Sequence, residues 1–285
     1  MKRITFLTVS AIVIVFAINS CKKDDNKWDA DRQALIFNSI IERTYSDMSN
    51  ISNQAKDGSL PVYGMDQVTV RYESASSAYM MDKSNCNVVI TIDTVGSVNT
   101  LIVDWGSTNC TCNDGNKRRG KIITTWTGSY YAQGSIIKHV PVDYYVNDIK
   151  VEGVMTVENM GNNSNGQPFY NVNVDGTATF TSGEVVNYTS DRVRTFTNGY
   201  NTQLNFLDDE YDITGTADAE IVGSQKYTAI ITSPLHVKVL CPYITKGTFD
   251  YTPEGYSTRT VDYGTGACDS QFTVTVDGHT YTINY

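Results

Sequence analysis

The chain has 285 residues, and its 31 acidic against 22 basic side chains give a formal net charge of −9 at pH 7. Such a charge repels the phosphate backbone, which argues against nucleic acid as a partner. The length is ample for a sizeable core in one or two domains. With 19 Tyr, 21 Gly and only 6 Pro, the composition favours β-strands over helices.

The N-terminus has the pattern of a bacterial lipoprotein signal. Lys2 and Arg3 precede an apolar run, residues 4–18, and small or polar residues then lead to Cys21. A basic start, an apolar core and a cleavage point mark a secretory signal, and the run is shorter than the roughly 18 to 20 residues of a spanning helix. We therefore predict that residues 1–20 are removed and that Cys21 is lipidated on its sulfur. The alternatives are an ordinary secreted protein with Cys21 in a disulfide, or a buried helix.

Lipidation would hold the protein to a membrane. Each buried CH₂ of an acyl chain contributes about 0.8 kcal/mol, so two or three chains anchor a protein far more firmly than one. Directly after Cys21, the run Lys23-Asp24-Asp25 resembles the surface-export signal of Bacteroidota lipoproteins. The sequence thus predicts an outer-membrane lipoprotein that faces the cell exterior, with residues 21–28 as its tether. The alternative is that the charged run is only a solvated spacer.

An amphipathic helix is predicted directly after the tether. Asp29 suits the N-cap position, and apolar residues then recur at steps of three and four. The stripe consists of Ala30, Ala34, Phe37, Ile41, Tyr45 and Met48. Residues 53–61 are interpreted as a loop, so residues 29–58 form a helix-and-loop segment whose apolar stripe packs against a sheet.

From residue 59 to residue 285 the apolar pattern alternates with period two, which is typical of β-strands. Asp277-Gly278 is the clearest hairpin signal, and Asp175-Gly176 is another. Residues 149–153 are echoed by residues 211–215, which indicates repeated units. No long helical pattern separates the runs, so parallel crossovers are excluded. Residues 59–285 are therefore predicted to be all-β, an antiparallel twisted sheet or sandwich of repeated meander and hairpin units.

Five cysteines remain once the lipidated one is set aside, and an internal repeat sorts them. Asp-Trp-Gly-x-x-x-Cys ends at Cys110, and Asp-Tyr-Gly-x-x-x-Cys ends at Cys268. Each unit is preceded by a further cysteine, Cys86 in the first and Cys241 in the second. Equivalent units imply equivalent bridges in an exported chain, so we predict Cys86–Cys110 and Cys241–Cys268 disulfides. Cys112 either competes with Cys110 for Cys86 or remains a thiol.

The sequence contains no motif for catalysis or for a cofactor. The three histidines, His139, His236 and His279, lack the neighbours of a hydrolase or zinc-protease motif, so we predict that the protein is not an enzyme. The cluster Asp208-Asp209-Glu210 has the oxygen ligands that Ca²⁺ prefers, but not the spacing of a calcium loop. Whether it binds a cation is left open, since such clusters are common in an acidic chain.

Three features point to a ligand or a modification. Trp105 and Trp126 offer flat rings on which a sugar could stack, although aromatics in strands more often form cross-strand packing pairs. The basic run Lys117–Lys121 either grips an anionic headgroup or sulfated glycan, or makes a charged hairpin tip that blocks edge pairing. Asp93-Thr94-Val95 matches the O-glycan acceptor pattern of exported Bacteroidota proteins, which makes Thr94 a candidate modification site.

Together these motifs resemble a recurring family of Bacteroidota surface lipoproteins. The likeness rests on the lipidation signal, on the two units that end at Cys110 and Cys268, on residues 113–122 and on the ending, residues 268–285. It implies an envelope location and an all-β fold, and it brings no functional residues. The expected function is that of a non-catalytic binding, adhesion or structural module with a glycan or a surface protein as partner. The alternative is a glycan-binding accessory lipoprotein of an outer-membrane uptake system.

Overall fold

The computed structural model describes residues 22–57, 67–72, 86–112, 115–202, 208–239, 241 and 243–284. The predicted signal segment, residues 1–20, and the predicted lipidation site, Cys21, lie outside the described residues. Within the described part there are one helix, α1 (Lys22–Asp57), and fifteen strands. The strands are β1 (Gln67–Tyr72), β2 (Asn87–Asp93), β3 (Asn99–Asp104), β4 (Cys110–Thr111), β5 (Lys117–Trp126), β6 (Ile136–Val146), β7 (Ile149–Asn162), β8 (Pro168–Thr179), β9 (Val185–Asn198), β10 (Glu210–Ile221), β11 (Gln225–Lys238), β12 (Ile244–Pro253), β13 (Arg259–Thr265), β14 (Gln271–Val276) and β15 (His279–Asn284).

These strands form one open, twisted sheet in which neighbours in sequence are neighbours in space. The order runs from β1 to β15 along the chain, except that β3 pairs with β5, and the short β4 also pairs with β5. All the described pairs are antiparallel except β1 with β2. The predicted all-β class with one N-terminal helix is confirmed. Of the two predicted architectures, the described strands form the sheet and not the sandwich.

The parallel pair of β1 and β2 corrects the prediction that no parallel pair would form. That prediction required a helix between parallel strands. The physical requirement is only enough chain for a crossover, about a dozen residues. Residues 73–86 supply that length, so the absence of a helical pattern did not exclude the pairing.

Helix α1 is longer than the sequence predicted at both ends. It begins at Lys22, inside the segment predicted as the tether, and it continues to Asp57 where a loop was predicted. Burial explains the C-terminal extension, because Ile51 and Ala55 are 5% and 2% exposed. They continue the apolar stripe beyond Met48 at steps of three and four.

Helix α1 lies along one face of the sheet, where it contacts strands from β3 to β9. We call this the inner face and the opposite one the outer face. Ser52 of the helix contacts Thr124 on β5 with an Oγ–Oγ1 distance of 2.8 Å, while Glu42 pairs with Arg192 on β9. These strands are four places apart, about 19 Å across a flat sheet, and a helix is only about 10 to 12 Å wide. The two contacts are made by helix residues ten positions apart, about 15 Å along the helix axis, so one helix spans these strands of the inner face.

A pair of facing glycines lets α1 approach the sheet closely. Gly153 on β7 is the Cα partner of Gly176 on β8, and the Tyr45 hydroxyl of α1 donates to the backbone oxygen of Glu152 at 2.7 Å. A Cβ at Gly176 would lie 1.8 Å from that hydroxyl oxygen, so only glycine fits. The prediction of a hairpin turn at Asp175-Gly176 is wrong, since both residues lie inside β8.

The two echoing sequences, residues 149–153 and 211–215, share a backbone feature. Gly153 and Gly215 have φ angles of 109° and 121°, a region that favours glycine. A Cβ at either position would meet a backbone oxygen of the neighbouring strand, at 2.2 Å and 2.1 Å respectively. The echo therefore marks glycine positions of the same kind in β7 and β10.

The last hairpin forms where the sequence predicted it. Asp277 and Gly278 have φ angles of 48° and 80°, the two consecutive left-handed residues of a type I′ turn. Val276 and His279 pair across the turn. Strand β15 has β14 on one side and is the last strand of the sheet.

Candidate functional site

His139 lies buried on the inner face at the end of a chain of hydroxyl groups. The Ser52 hydroxyl donates to the Met48 carbonyl oxygen, and the Thr124 hydroxyl donates to Ser52 Oγ, both at 2.8 Å. Since the one proton of the Thr124 hydroxyl is thereby used, the Nδ1–H of His139 donates to Thr124 Oγ1 at 2.9 Å. Burial, with a smaller contribution from the Arg194 charge, lowers the pKa of His139 to about 3. The ring is neutral at neutral pH and helps to seat α1.

A second set of polar contacts joins α1 to β9. Glu42 accepts hydrogen bonds from Arg192 and from the Tyr188 hydroxyl. One helical turn later, Ser46 Oγ accepts from Arg194 Nη2 at 3.3 Å. Four residues of a helix rise about 6.0 Å, and two residues of a strand rise about 6.8 Å, so the two contacts match and set the axial position of α1. These inner-face groups serve to dock the helix.

The outer face carries rows of short polar side chains. In one row, which we call the outer row, successive members are Cα partners from β2 to β15. The row consists of Asp93, Thr100, Thr125, Lys138, Thr156, Asn173, Asp191, Thr216, Ile230, Asp250, Thr260, Thr275 and Thr280. Adjacent strands lie about 4.8 Å apart, so the row presents hydroxyl, amide and carboxylate groups at a regular spacing, interrupted by Lys138 on β6 and Ile230 on β11.

A shallow depression of about 240 Å³ lies on the outer row at β7, β8 and β9. Its lining includes Thr156, Asn173, Asp175, Thr189 and Asp191, and we call this set the outer depression. Asn173 Nδ2 donates to the Asp191 carboxylate. Hydroxyl and amide groups both donate and accept, and carboxylates accept. The outer depression is therefore suited to a ligand rich in hydroxyl groups, and it is the candidate binding site.

Sequence reasoning did not find the outer depression, because its residues come from three strands and share no local motif. The one available signal is the alternation within β8 and β9. Asn173 and Asp175 alternate with buried residues on β8, as Thr189 and Asp191 do on β9. That pattern shows that the four side chains face solvent, but only the register between the strands brings them together.

The predicted glycan-stacking residues are wrong. Trp105 and Trp126 are 4% and 6% exposed, so neither ring presents a face to a ligand. Trp105 packs on Tyr144 with ring centroids 5.4 Å apart, and Trp126 packs edge-to-face on Tyr130 at 5.1 Å. The alternative interpretation, that aromatic residues in the strands are packing pairs, describes both tryptophans.

The basic run Lys117–Lys121 does not form a patch or a hairpin tip. It lies within β5, where successive side chains point to opposite faces. Arg118 is buried, 3.9 Å from Asp47 of α1. Arg119 forms a 2.5 Å ion pair with Asp148, and its guanidinium lies 3.7 Å from the ring centre of Tyr145. The charges are thus divided between the two faces, and two of them have protein partners.

The acidic cluster does not converge on one point. The Thr202 hydroxyl donates to Asp208 Oδ2 at 2.9 Å, while Glu210 Oε2 lies 3.2 Å from His236 Nε2. Asp209 is partly buried, and burial, with repulsion from Asp208, raises the pKa of Asp209 to about 6. Among the described residues, these three carboxylates do not form a group close enough to share one ion.

Both predicted disulfides are present, Cys86–Cys110 and Cys241–Cys268. Cys112 is buried, and its Sγ lies 3.4 Å from Cys86 Sγ. In the part of the chain that the structure describes, Cys86, Cys110 and Cys112 are the one group of three His, Cys, Asp or Glu side chains close enough to hold a metal ion. Two of those sulfurs are already bonded to each other. The third is in contact with the bond, so both pairings of Cys86 that the sequence left open are within reach.

Thr94, the candidate modification site, is exposed between β2 and β3. The backbone N–H of Val95 donates to Asp93 Oδ1 at 3.0 Å, which is the hydrogen bond of an Asx turn. The threonine hydroxyl is thus on a reachable turn, and its glycosylation stays a prediction.

Comparison of the chain with protein-family models, with curated proteins and with solved structures finds no match. Among the described residues, no helix has the length and apolar character needed to cross a membrane. The features of the molecule that bear on function are therefore the N-terminal sequence and the two faces of the sheet.

Proposed function

We propose that this protein is a lipid-anchored component of the bacterial outer membrane that faces the cell exterior and acts as a non-catalytic binding or adhesion module. One observation carries the binding part of the proposal. Helix α1 occupies the inner face of the sheet, whereas the outer row presents hydroxyl, amide and carboxylate groups to solvent on eleven of its thirteen strands. The outer face is therefore the surface with which a partner would make contact.

The anchor part of the proposal rests on the N-terminal sequence. Residues 1–20 have the charge and apolar pattern of a secretory signal, and Cys21 follows the cleavage point. Helix α1 begins at Lys22, immediately after that cysteine. An acylated Cys21 would thus be joined to the sheet by a continuous helix that docks on the inner face, which leaves the outer face free.

The second candidate function is that of a glycan-binding accessory lipoprotein of an outer-membrane uptake system. The outer depression favours it, because carboxylates such as Asp175 and Asp191 accept hydrogen bonds from sugar hydroxyls, and Asn173 donates and accepts. With Trp105 and Trp126 buried and no aromatic side chain in the lining of the outer depression, recognition there would depend on hydrogen bonds and not on ring stacking. Binding of that kind is directional and discriminates between sugars by the placement of their hydroxyl groups.

A glycan array followed by calorimetry tests the binding proposal and separates the two candidates. The variant is Asp191→Ala in the outer depression, and the matched control is Asp250→Ala, another carboxylate of the outer row. Loss of a defined oligosaccharide ligand in Asp191→Ala but not in Asp250→Ala would support the accessory function. If both variants adhere to a surface more weakly than the native protein, the result would support the adhesion module. Binding that survives both changes would contradict a role for the outer row.

Mass spectrometry of the membrane fraction tests the anchor. We expect a chain that begins at Cys21 and carries acyl chains, whereas Cys21→Ser should be found unacylated. Protease treatment of intact cells should cleave the native protein. In the double variant Asp24→Ala with Asp25→Ala, a smaller fraction of the protein should be cleaved. An unacylated chain that still begins at Met1 would overturn the proposal.

A further inference from the structure

Strand β15 leaves one row of backbone groups facing away from the sheet. A two-residue turn closes on a hydrogen-bonded pair, here Val276 and His279. Bonded and non-bonded pairs alternate in an antiparallel ladder, so the backbone groups of Thr280, Thr282 and Asn284 point outward. Among the described strands none pairs with this side of β15, so this free edge offers three N–H donors and three carbonyl acceptors, one of each at every second residue.

The free edge of β15 lacks the features that usually keep sheet edges apart. Proteins commonly protect edges with charged residues, proline or a bulge. Residues 279–284 contain no Lys, Arg, Asp, Glu or Pro, and the pairing of β14 with β15 runs over six residue pairs without a register shift. In a chain of net charge −9, a six-residue edge without Asp or Glu lets two copies approach without repulsion between side-chain carboxylates.

The arrangement of the outward groups is also self-complementary. They occur at three alternate residues, with Thr282 in the middle. If two β15 strands lie antiparallel about a two-fold axis through Thr282, Thr282 faces Thr282 of the second copy, and Thr280 faces Asn284 of that copy. Each facing pair exchanges two backbone hydrogen bonds, so all three donors and all three acceptors of the edge are satisfied at once. A pairing of this type uses the same surface on both copies and closes as a dimer.

We propose that two copies of this protein associate edge to edge through β15, antiparallel and centred on Thr282, to form one continuous sheet. The side chains that meet across the new pair are Thr with Thr and Thr with Asn. They are neutral, polar and exposed on the outer face in the single chain. The outer faces of the two copies would then form one continuous face, with Thr280 of one copy beside Asn284 of the other, which doubles the width of the polar array.

Cysteine substitution at two neighbouring outward positions tests the register. In the proposed dimer the Cα atoms at position 282 are about 5.5 Å apart, within the range of a disulfide. The two Cα atoms at position 280 are offset by four residues, about 14 Å along the strands. The full chain with Thr282→Cys should therefore run as a covalent dimer on a non-reducing gel after mild oxidation, while Thr280→Cys should remain monomeric. Equal cross-linking of the two variants, or cross-linking of Thr280→Cys alone, would overturn the proposal.

Sedimentation of the detergent-solubilised full chain tests the association without a cross-link. Thr282→Pro removes the central outward donor while leaving the bonds to β14, since that N–H points away from β14. Thr282→Val changes the side chain and keeps the N–H. We expect the native chain and Thr282→Val to be dimers, and Thr282→Pro to be a monomer with an unchanged far-ultraviolet spectrum. A native chain that stays monomeric up to its solubility limit would contradict the proposal, as would a dimeric Thr282→Pro.

Discussion

The inner and outer faces of the sheet are made by alternate residues of the same strands, yet the polar groups of the two faces have different roles. On β9, Arg192 is buried and pairs with Glu42 of α1, whereas its neighbour Asp191 points to the exposed outer depression. On the inner face, charged and hydrogen-bonding groups hold a helix in place. On the outer face, groups of similar chemistry are left facing solvent.

Polarity alone therefore does not identify a binding surface in this fold. Inner-face polar residues such as His139 and Arg192 are engaged with α1 or its neighbours, and removing them should cost stability. Outer-face residues such as Thr216 and Asp191 bury little, and changing them should alter binding without altering stability. Each of the following predictions tests one side of this contrast.

The largest effect is expected at the buried cysteine cluster. Cys86→Ser removes a bridge that closes a loop of 24 positions, which should lower the free energy of unfolding by about 3 to 4 kcal/mol on the chain-entropy model. Cys110→Ser should cost much less, because Cys112 lies 3.4 Å from Cys86 Sγ and can bridge it instead. Urea unfolding with non-reducing peptide mapping measures both. If Cys110→Ser leaves Cys86 as a thiol, Cys112 is not an alternative partner.

A smaller loss is expected where α1 presses on the sheet. Gly176→Ala places a Cβ against the Tyr45 hydroxyl and should destabilise the protein by about 1 to 3 kcal/mol, the usual cost of overpacking. The neighbouring outer-face change Thr177→Ala should stay within about 0.5 kcal/mol. In a Tyr45→Ala background the cost of Gly176→Ala should fall. Additive losses in that double variant would argue that the helix does not lie where we place it.

Acidification should reduce the contribution of inner-face His139 to the free energy of unfolding. The pKa of His139 is lowered to about 3 from its ordinary value of 6.5, so between those values the unfolded chain binds a proton that the folded chain does not. Stability therefore falls as the pH falls through that window. The pKa of Asp209 is raised to about 6 from 3.8, so its contribution has the opposite sign and grows as the pH falls.

Two variants separate these contributions. Thermal unfolding of His139→Leu between pH 7 and pH 4 should show a shallower loss of stability than the native chain, and Asp209→Asn should show a steeper one. The same pH dependence in His139→Leu and the native chain would mean that folding does not lower the pKa of His139.

The smallest effect on stability is expected on the outer row. Thr216→Val keeps the shape of an exposed side chain and should change the free energy of unfolding by less than about 0.5 kcal/mol. Thr156→Val, in the outer depression, should be equally mild in unfolding but should weaken ligand binding. A loss of stability comparable to that of Gly176→Ala would show that these threonines stabilise the fold, as the inner-face residues do.

The parts of the fold that the sequence predicted depend on local patterns. Period-two alternation indicates strands, and Asp277-Gly278 supplies the two left-handed residues that a tight hairpin needs, so both were predictable. The end of α1 was missed although Ile51 and Ala55 continue its stripe, because the polar residues between them suggested a loop. The helical start at Lys22 had no apolar signal at all.

The candidate site was out of reach for a different reason. Period-two alternation assigns each residue to one of the two faces of a strand, but it does not show which face the helix covers. The ring of Trp126 could therefore be taken for an exposed one. The outer depression requires the registers of β7, β8 and β9 together, since Thr156, Asn173 and Asp191 are neighbours only as Cα partners. The cysteine pairs were predictable because each of the two repeated units contains both cysteines of one pair.

The most direct test of the contrast is urea unfolding of Arg192→Ala and Asp191→Ala, adjacent residues on one strand. Arg192→Ala leaves the Glu42 carboxylate with the Tyr188 hydroxyl but without its cationic partner, and should lower the free energy of unfolding by about 2 kcal/mol or more. Asp191→Ala should lower it by less than about 0.5 kcal/mol. Equal losses, or a larger loss for Asp191→Ala, would contradict the assignment of the inner face to stability and the outer face to binding.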